Sequence, residues 1–96
     1  MEITEAAQVF KELGHPTRLG LFKLLVKAGE SGLSVGLIQE ALAIPNSTLS
    51  HHIARLINVG LIIQKRDGRT LYCIPQYARL DSLIGFLQDE CCIDNG

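Results

Sequence analysis

Residues 46–60 read Asn-Ser-Thr-Leu-Ser-His-His-Ile-Ala-Arg-Leu-Ile-Asn-Val-Gly and constrain this chain more than any other segment. Leu49, Ile53, Leu56 and Ile57 recur at helical spacing and predict one apolar face on a helix over about 46–59. Asn46 is a candidate N-cap, and Gly60 is the stop signal. The opposite face carries Ser47, Thr48, Ser50, His51 and His52, with Arg55 one turn later and no carboxylate. Short hydroxyls, imidazoles and a guanidinium reach base edges and phosphates in a DNA major groove, where Asp or Glu would be repelled by the backbone. A polar helix face by itself usually means only solvation, so the flanking sequence has to decide.

Immediately downstream, Leu61-Ile-Ile-Gln-Lys-Arg-Asp-Gly-Arg-Thr-Leu-Tyr-Cys-Ile74 predicts a hairpin over about 61–74, with Asp67-Gly68 as the turn signal. Lys65, Arg66 and Arg69 surround that turn, which favours phosphate contact over a charge placed merely for solubility. A reading helix followed by a basic hairpin is a winged helix. The net charge of −1 looks wrong for a DNA-binding protein, but the distribution is not. Residues 47–74 hold four Lys/Arg against one Asp, whereas residues 75–96 hold one Arg against four Asp/Glu. The positive charge is therefore concentrated on the reading helix and wing, and the acidic tail must lie away from DNA.

The remaining segments supply a scaffold. Ile3, Ala6, Ala7, Phe10 and Leu13 predict an amphipathic first helix. His15-Pro16-Thr17-Arg18 opens a second, with Pro16 at its first position, and Leu19, Leu21, Phe22, Leu24, Leu25 and Val26 make it apolar nearly all round. Ser34 is a candidate cap for a short third helix through Ala43, ended by Pro45, with Val35, Ile38 and Leu42 inward. After Pro75, Tyr77, Leu80, Leu83, Ile84 and Leu87 predict a terminal helix over about 76–90. Gly36 and Gly85 sit inside predicted helices at a cost of roughly 1 kcal/mol each relative to Ala, and the sequence leaves open whether they allow close helix approach. The expected fold is mainly α with a small β-hairpin, a single winged helix-turn-helix domain over residues 1–96 in the order α-α-α-α-β-β-α. Apolar stripes on both end helices of so small a domain would leave hydrophobic surface in water unless something covers them.

Leu13-Gly-His-Pro-Thr-Arg-Leu19, Leu33-Ser-Val-Gly-Leu-Ile38, Ser47-Thr-Leu-Ser-His-His-Ile53 and Gly60-Leu-Ile-Ile-Gln-Lys-Arg-Asp-Gly-Arg-Thr-Leu-Tyr72 together resemble the ArsR family of metal- and metalloid-responsive winged-helix repressors. The match runs over almost the whole chain, in order and in spacing. The resemblance implies a homodimer built by the first and last helices, which binds operator DNA without ligand and lets go when an inducer binds. Two of the family's metal sites do not carry over. The Cys-x-Cys position in the helix before the reading helix is here Leu33-Ser34-Val35-Gly36, and the last helix, where the family can hold zinc with Asp and His, has no histidine. No zinc site is expected, and no cofactor is required.

Of the three cysteines, Cys91 and Cys92 are adjacent after Asp89-Glu90, an arrangement like that in some arsenic-responsive members. Soft thiolates select soft metalloids, and two of them suit a trivalent organoarsenical better than arsenite, which wants a third. Cys73 is the candidate third ligand, although a lone cysteine in a strand is more often a buried filler. The expected function is therefore an arsenical-released, DNA-binding transcriptional repressor and not an enzyme, since no nucleophile, base and orienting group form a set. One alternative is a thiol-redox or sulfide-sensing repressor using the same cysteines. Another, of a different class, is a protein-interaction module that binds no DNA. The acidic Met-Glu-Ile-Thr-Glu start is no signal peptide, the apolar runs are too short to span a membrane, and the odd cysteine count argues against a disulfide framework, so a cytoplasmic protein is expected.

Overall fold

The computed structural model describes residues 1–93 and shows the elements α1 (Ile3–Leu13), α2 (Pro16–Ala28), β1 (Leu33–Ser34), α3 (Val35–Leu42), α4 (Asn46–Asn58), β2 (Ile62–Asp67), β3 (Thr70–Pro75) and α5 (Tyr77–Gln88). Each of the predicted helices and both wing strands are present. The core is one cluster in which Leu21, Leu25, Ile38, Leu49, Leu56, Leu61 and Ile62 are fully buried, drawn from α2, α3, α4 and the start of the wing. None of the described helices is long and apolar enough to cross a membrane.

Local chemistry explains most element boundaries. At the start of α2, His15 Nδ1 accepts from the Thr17 amide at 3.1 Å and Pro16 occupies the first helical position, where a missing N–H costs nothing. Ser34 Oγ accepts from the Leu37 amide at 3.2 Å and caps α3. Helix α4 starts differently from expectation. Pro45 is the N-cap and Asn46 is already helical, with no side-chain cap bond. Pro45 also does not end α3. That helix stops at Ala43, which takes a left-handed φ of 53° while its amide bonds the Gln39 carbonyl. Gly60, at φ 77°, ends α4 as predicted.

The wing is one strand larger than the sequence indicates. Leu33–Ser34 pairs antiparallel with β3, giving the strand order β1-β3-β2 with Leu33 opposite Cys73 and Ser34 opposite Tyr72. A two-residue strand has no periodicity to detect. The hairpin turn is also shifted by one residue. Asp67 pairs with Thr70, so the two-residue loop is Gly68-Arg69, not Asp67-Gly68. Gly68 has φ 63° and Arg69 stays outside the left-handed region, which fits a type II′ turn with glycine first. Gly32, at φ 70°, lies against the same sheet, and a Cβ there would overlap the Cys73 carbonyl oxygen.

Three packing expectations change. In α1 the buried residues are Ala6, Val9 and Glu12, while Ile3 and Phe10 are exposed, so the predicted single stripe is two. In α2, Leu19 is exposed, leaving Leu21, Phe22 and Leu25 as its buried residues. Gly36 and Gly85 face open space and mark no close helix approach. Helix α5 buries Leu83 and leaves Ile84 and Leu87 exposed, 46% and 63%, which matches an uncovered stripe on the terminal helix.

Candidate nucleic-acid interface

The residues proposed to meet DNA separate into a free set and a tied set. Ser47, Thr48, Ser50 and His51, on the first two turns of α4, are all exposed. Leu49, Ile53 and Leu56 anchor the other side of that helix in the core, which fixes the orientation of the polar side. Lys65, Arg66 and Arg69 are exposed on the wing and form no ion pair among the described residues. Arg66 and Arg69 line a groove of about 510 Å³ together with Ser34, Val35 and Gly36 at the start of α3. That groove brings wing cations beside a helix start, where backbone amides and the helix dipole favour negative charge.

His52 leaves the predicted DNA set. It is buried, 6% exposed, because it lies one residue beyond the exposed His51, on the side of α4 that meets α1 and α2. Arg18 Nη1 donates to His52 Nδ1 at 3.1 Å. A guanidinium has no acceptor, so Nδ1 is unprotonated and the neutral ring carries its proton on Nε2. Burial, followed by the charges of His15 and Arg18, lowers the His52 pKa below its ordinary 6.5. The His15 ring stands 4.8 Å away, centroid to centroid.

Arg55 keeps an exposed side chain but is not free. Its Nη1 donates to Glu12 Oε1 at 3.3 Å. Glu12, at the end of α1, is 5% exposed and is shared with Arg18, whose Nε donates to the Glu12 carbonyl at 2.7 Å and lies 3.5 Å from Oε2. Oε2 has no hydrogen-bond partner, so its compensation is the nearby guanidinium charge. Glu12, Arg18 and His52 are a polar junction holding α1, α2 and α4 together. Sequence reasoning did not find it, because the partners are up to 43 residues apart and a carboxylate on an amphipathic helix reads as solvated.

The thiols also divide. Cys73 is fully buried, facing inward with Pro75 from the central strand, between Leu33 and Gln64 of the neighbouring strands. Gln64 Nε2 approaches its Sγ at 3.7 Å, and burial pushes the thiol pKa up. Cys73 is the core filler that a lone strand cysteine more often is, not an open third ligand, and no group of three metal-ligating side chains forms among the described residues. Cys91 and Cys92 are both free and exposed, with their sulfurs 2.8 Å apart. Helix α5 ends at Gln88 instead of near residue 90, so the pair sits in a turn in which the Cys91 amide bonds the Gln88 carbonyl. Neighbouring side chains on an extended chain point to opposite sides, but the left-handed φ of Glu90 (60°) and Cys92 (68°) curls this segment. The contact with Cys92 raises the Cys91 pKa.

With this geometry in view, the likenesses to known proteins are consistent. A helix-turn-helix domain family matches residues 13–64. The HTH-type transcriptional regulator YgaV of Escherichia coli is 34% identical over 89 residues, covering 92% of this chain and 87% of its own length. The homodimeric winged helix-turn-helix domain of Mb0332 from Mycobacterium bovis, described as a possible ArsR-family regulator, is 30% identical with a TM-score of 0.70, covering 93% of this chain and 82% of that one. The transcriptional repressor BigR from Xylella fastidiosa is 27% identical with a TM-score of 0.69, covering 92% and 88%. YgaV is described as a transcriptional regulator and BigR as a transcriptional repressor. The exposed reading helix, the basic wing and these likenesses agree: the chain belongs to the ArsR family of winged helix-turn-helix, DNA-binding transcriptional regulators.

Proposed function

We propose that the protein is a homodimeric repressor that reads operator DNA with Ser47, Thr48, Ser50 and His51 in the major groove. In this reading Lys65, Arg66 and Arg69 hold the phosphates, and a trivalent organoarsenical bound by Cys91 and Cys92 causes release. The observation that carries the inducer is the thiol pair: two free, exposed sulfurs 2.8 Å apart at the end of the last helix. The dimer is supported by the exposed Ile3 and Phe10 on α1 and Ile84 and Leu87 on α5, an apolar surface that needs covering. In such a dimer the reading helices must lie about 34 Å apart to enter successive major grooves.

The chemistry suits these thiols. A trivalent arsenical R–As(OH)₂ exchanges two As–O bonds for two As–S bonds, and the thiol protons leave with the hydroxyls as two waters. Nothing is oxidised or reduced, and no thiolate has to be present beforehand. Peroxide sensing needs the opposite, an activated thiolate. Cys91 has its pKa raised, and the carboxylates of Asp89 and Glu90 precede it. With Cys73 buried in the core, no third thiol lies open beside the pair among the described residues, which favours organoarsenicals at lower concentration.

The test is operator dissociation, followed by anisotropy under reducing conditions on DNA selected from a random pool. Phenylarsenical should weaken wild-type binding by about 5–150-fold, the range of a coupling of ~1–3 kcal/mol. Cys91→Ser and Cys92→Ser should bind DNA as wild type does and not respond, and Cys73→Ser should still respond. A Cys91→Ser/Cys92→Ser double variant that the arsenical still releases would overturn the site. Release by peroxide or polysulfide but by no arsenical would assign the same pair to redox sensing.

A further inference from the structure

Arg79, on the first turn of α5, makes two bonds to two different elements. Its Nε donates to the Val59 carbonyl at 2.9 Å, and its Nη1 donates to Glu5 Oε2 at 2.7 Å. Val59 closes the C-terminus of α4, where unsatisfied carbonyls carry the negative end of the helix dipole. Glu5 belongs to α1, and the Arg79 contact holds its carboxyl pKa below the ordinary value. The next residue, Gly60, is adapted to this approach: a Cβ there would stand 3.3 Å from Arg79 Nε, on a backbone with φ 77°. Beside it, the Gln76 amide bonds the Leu61 carbonyl at 2.8 Å, so the start of α5 is docked on the exit from α4 by backbone as well.

The arrangement has a directional meaning. Ser47 to His51 occupy the front of α4, and Arg79 holds its rear. The elements on the other side of Arg79 are the two that carry the uncovered apolar stripes. We infer that Arg79 is a positioning residue that sets the tilt of the reading helix against the α1–α5 pair, and through that tilt the separation of the two reading heads. This rests on the dimeric reading of the preceding section. Losing Arg79 leaves α4 held along its flank by Glu12 and Arg55, and its exit held by the Gln76–Leu61 bond. The expected consequence is a looser tilt, not an unfolded domain. A guanidinium can serve both acceptors at once, whereas an ammonium on a flexible stem holds one of them well.

The experiment compares operators that differ only in half-site spacing. From the best operator selected by wild type, one base pair is inserted or removed between the half-sites. Wild type should lose about tenfold in affinity, a cost like that of one mismatched position. R79Q should lose only about two- to threefold, R79K should fall between, and the salt dependence of all three should be equal because Arg79 contacts no phosphate. Sedimentation should show dimers throughout. R79Q with wild-type spacing selectivity overturns the inference, as does a changed salt slope or a monomeric R79Q, which would make Arg79 a phosphate or interface contact. Should R79Q unfold at working temperature, E5A removes the α1 half of the bracket from an exposed position, and it must show the same loosening in smaller degree. A wild type that is monomeric or indifferent to spacing fails differently, since it removes the dimeric reading together with the inference built on it.

Discussion

At the wing tip, Lys65, Arg66 and Arg69 are exposed and have no ion-pair partner among the described residues. At the junction of α1, α2 and α4, Arg18 and Arg55 converge on one buried carboxylate, Glu12. The residue types are alike and the surroundings are opposite. Wing cations stay hydrated and, in the proposed reading, would exchange their counterions for DNA phosphates, a process that salt opposes directly. Of the junction cations, Arg18 is nearly stripped of water against Glu12 while Arg55 stays half in solvent, and both fix how α4 sits on its scaffold. A positive residue near a reading helix is therefore evidence of DNA contact only when nothing inside the protein holds it. By that standard Lys65, Arg66 and Arg69 qualify fully, Arg55 in part, and Arg18 not at all.

The sharpest way to break this contrast is Arg18→Met. Removing one partner of a buried pair typically costs ~3–5 kcal/mol, and Arg55 still gives Glu12 partial cover, so we expect the lower end. For a domain of this size that is a fall in Tm of about 12 °C or more, and Glu12→Gln added to it should recover a large part. A fall of under about 4 °C, roughly 1 kcal/mol, would show the junction to be no more than a surface ion pair. The wing pair Arg66→Ala/Arg69→Ala should do the reverse. Tm stays put, operator affinity falls about equally on all sequences, and the slope of log affinity against log salt shrinks by about 1.8 for two contacts. An unchanged slope would remove the wing from the interface.

The smallest effect concerns His52. Its folded pKa is depressed, mainly by burial, so the unfolded chain takes up the proton first as pH falls. Stability from this group is complete above about 6.5 and is lost as pH drops through 6.5 and on through the lower folded value. Denaturant unfolding at several pH values should therefore show wild type losing stability below pH 6.5 faster than His52→Asn, which keeps an acceptor for Arg18 and cannot charge. Parallel curves would mean that His52 does not couple to folding.

What could be read from the sequence follows from the range over which each signal acts. Helical periodicity, the His15-Pro16 start, the Ser34 cap and the Gly60 stop are all local and all appear. The turn at Gly68-Arg69 missed by one residue because Asp67-Gly68 and Gly68-Arg69 are both acceptable two-residue loops, and only the cross-strand register selects between them. Strand β1 was invisible because two residues acquire strand character only from the partner they meet. His51 and His52 are adjacent and chemically identical, yet one is exposed and the other is buried on Arg18. The spacing does carry the signal: His52 lies three residues after Leu49 and four before Leu56, on the buried stripe, and only its polar side chain groups it with the exposed face. The Arg79 bracket joins residues 74 apart and had no local signature at all.

Gly32 shows how this architecture constrains its own variation. The backbone there passes so close to the Cys73 carbonyl that any side chain collides with main chain, and φ 70° adds a conformational penalty. Every missense change at this codon therefore meets the same obstacle, whatever the chemistry of the new residue. Within the chain, a Cβ at Gly36 or Gly85 meets nothing within 4 Å, so alanine there is unopposed by the fold itself. Among descendants of this chain, the two helix positions should vary while the loop position stays fixed, and a lineage that has lost Gly32 should also have rebuilt the crossing of β1 over β3. The base of the wing thus evolves as a unit with the loop that packs against it.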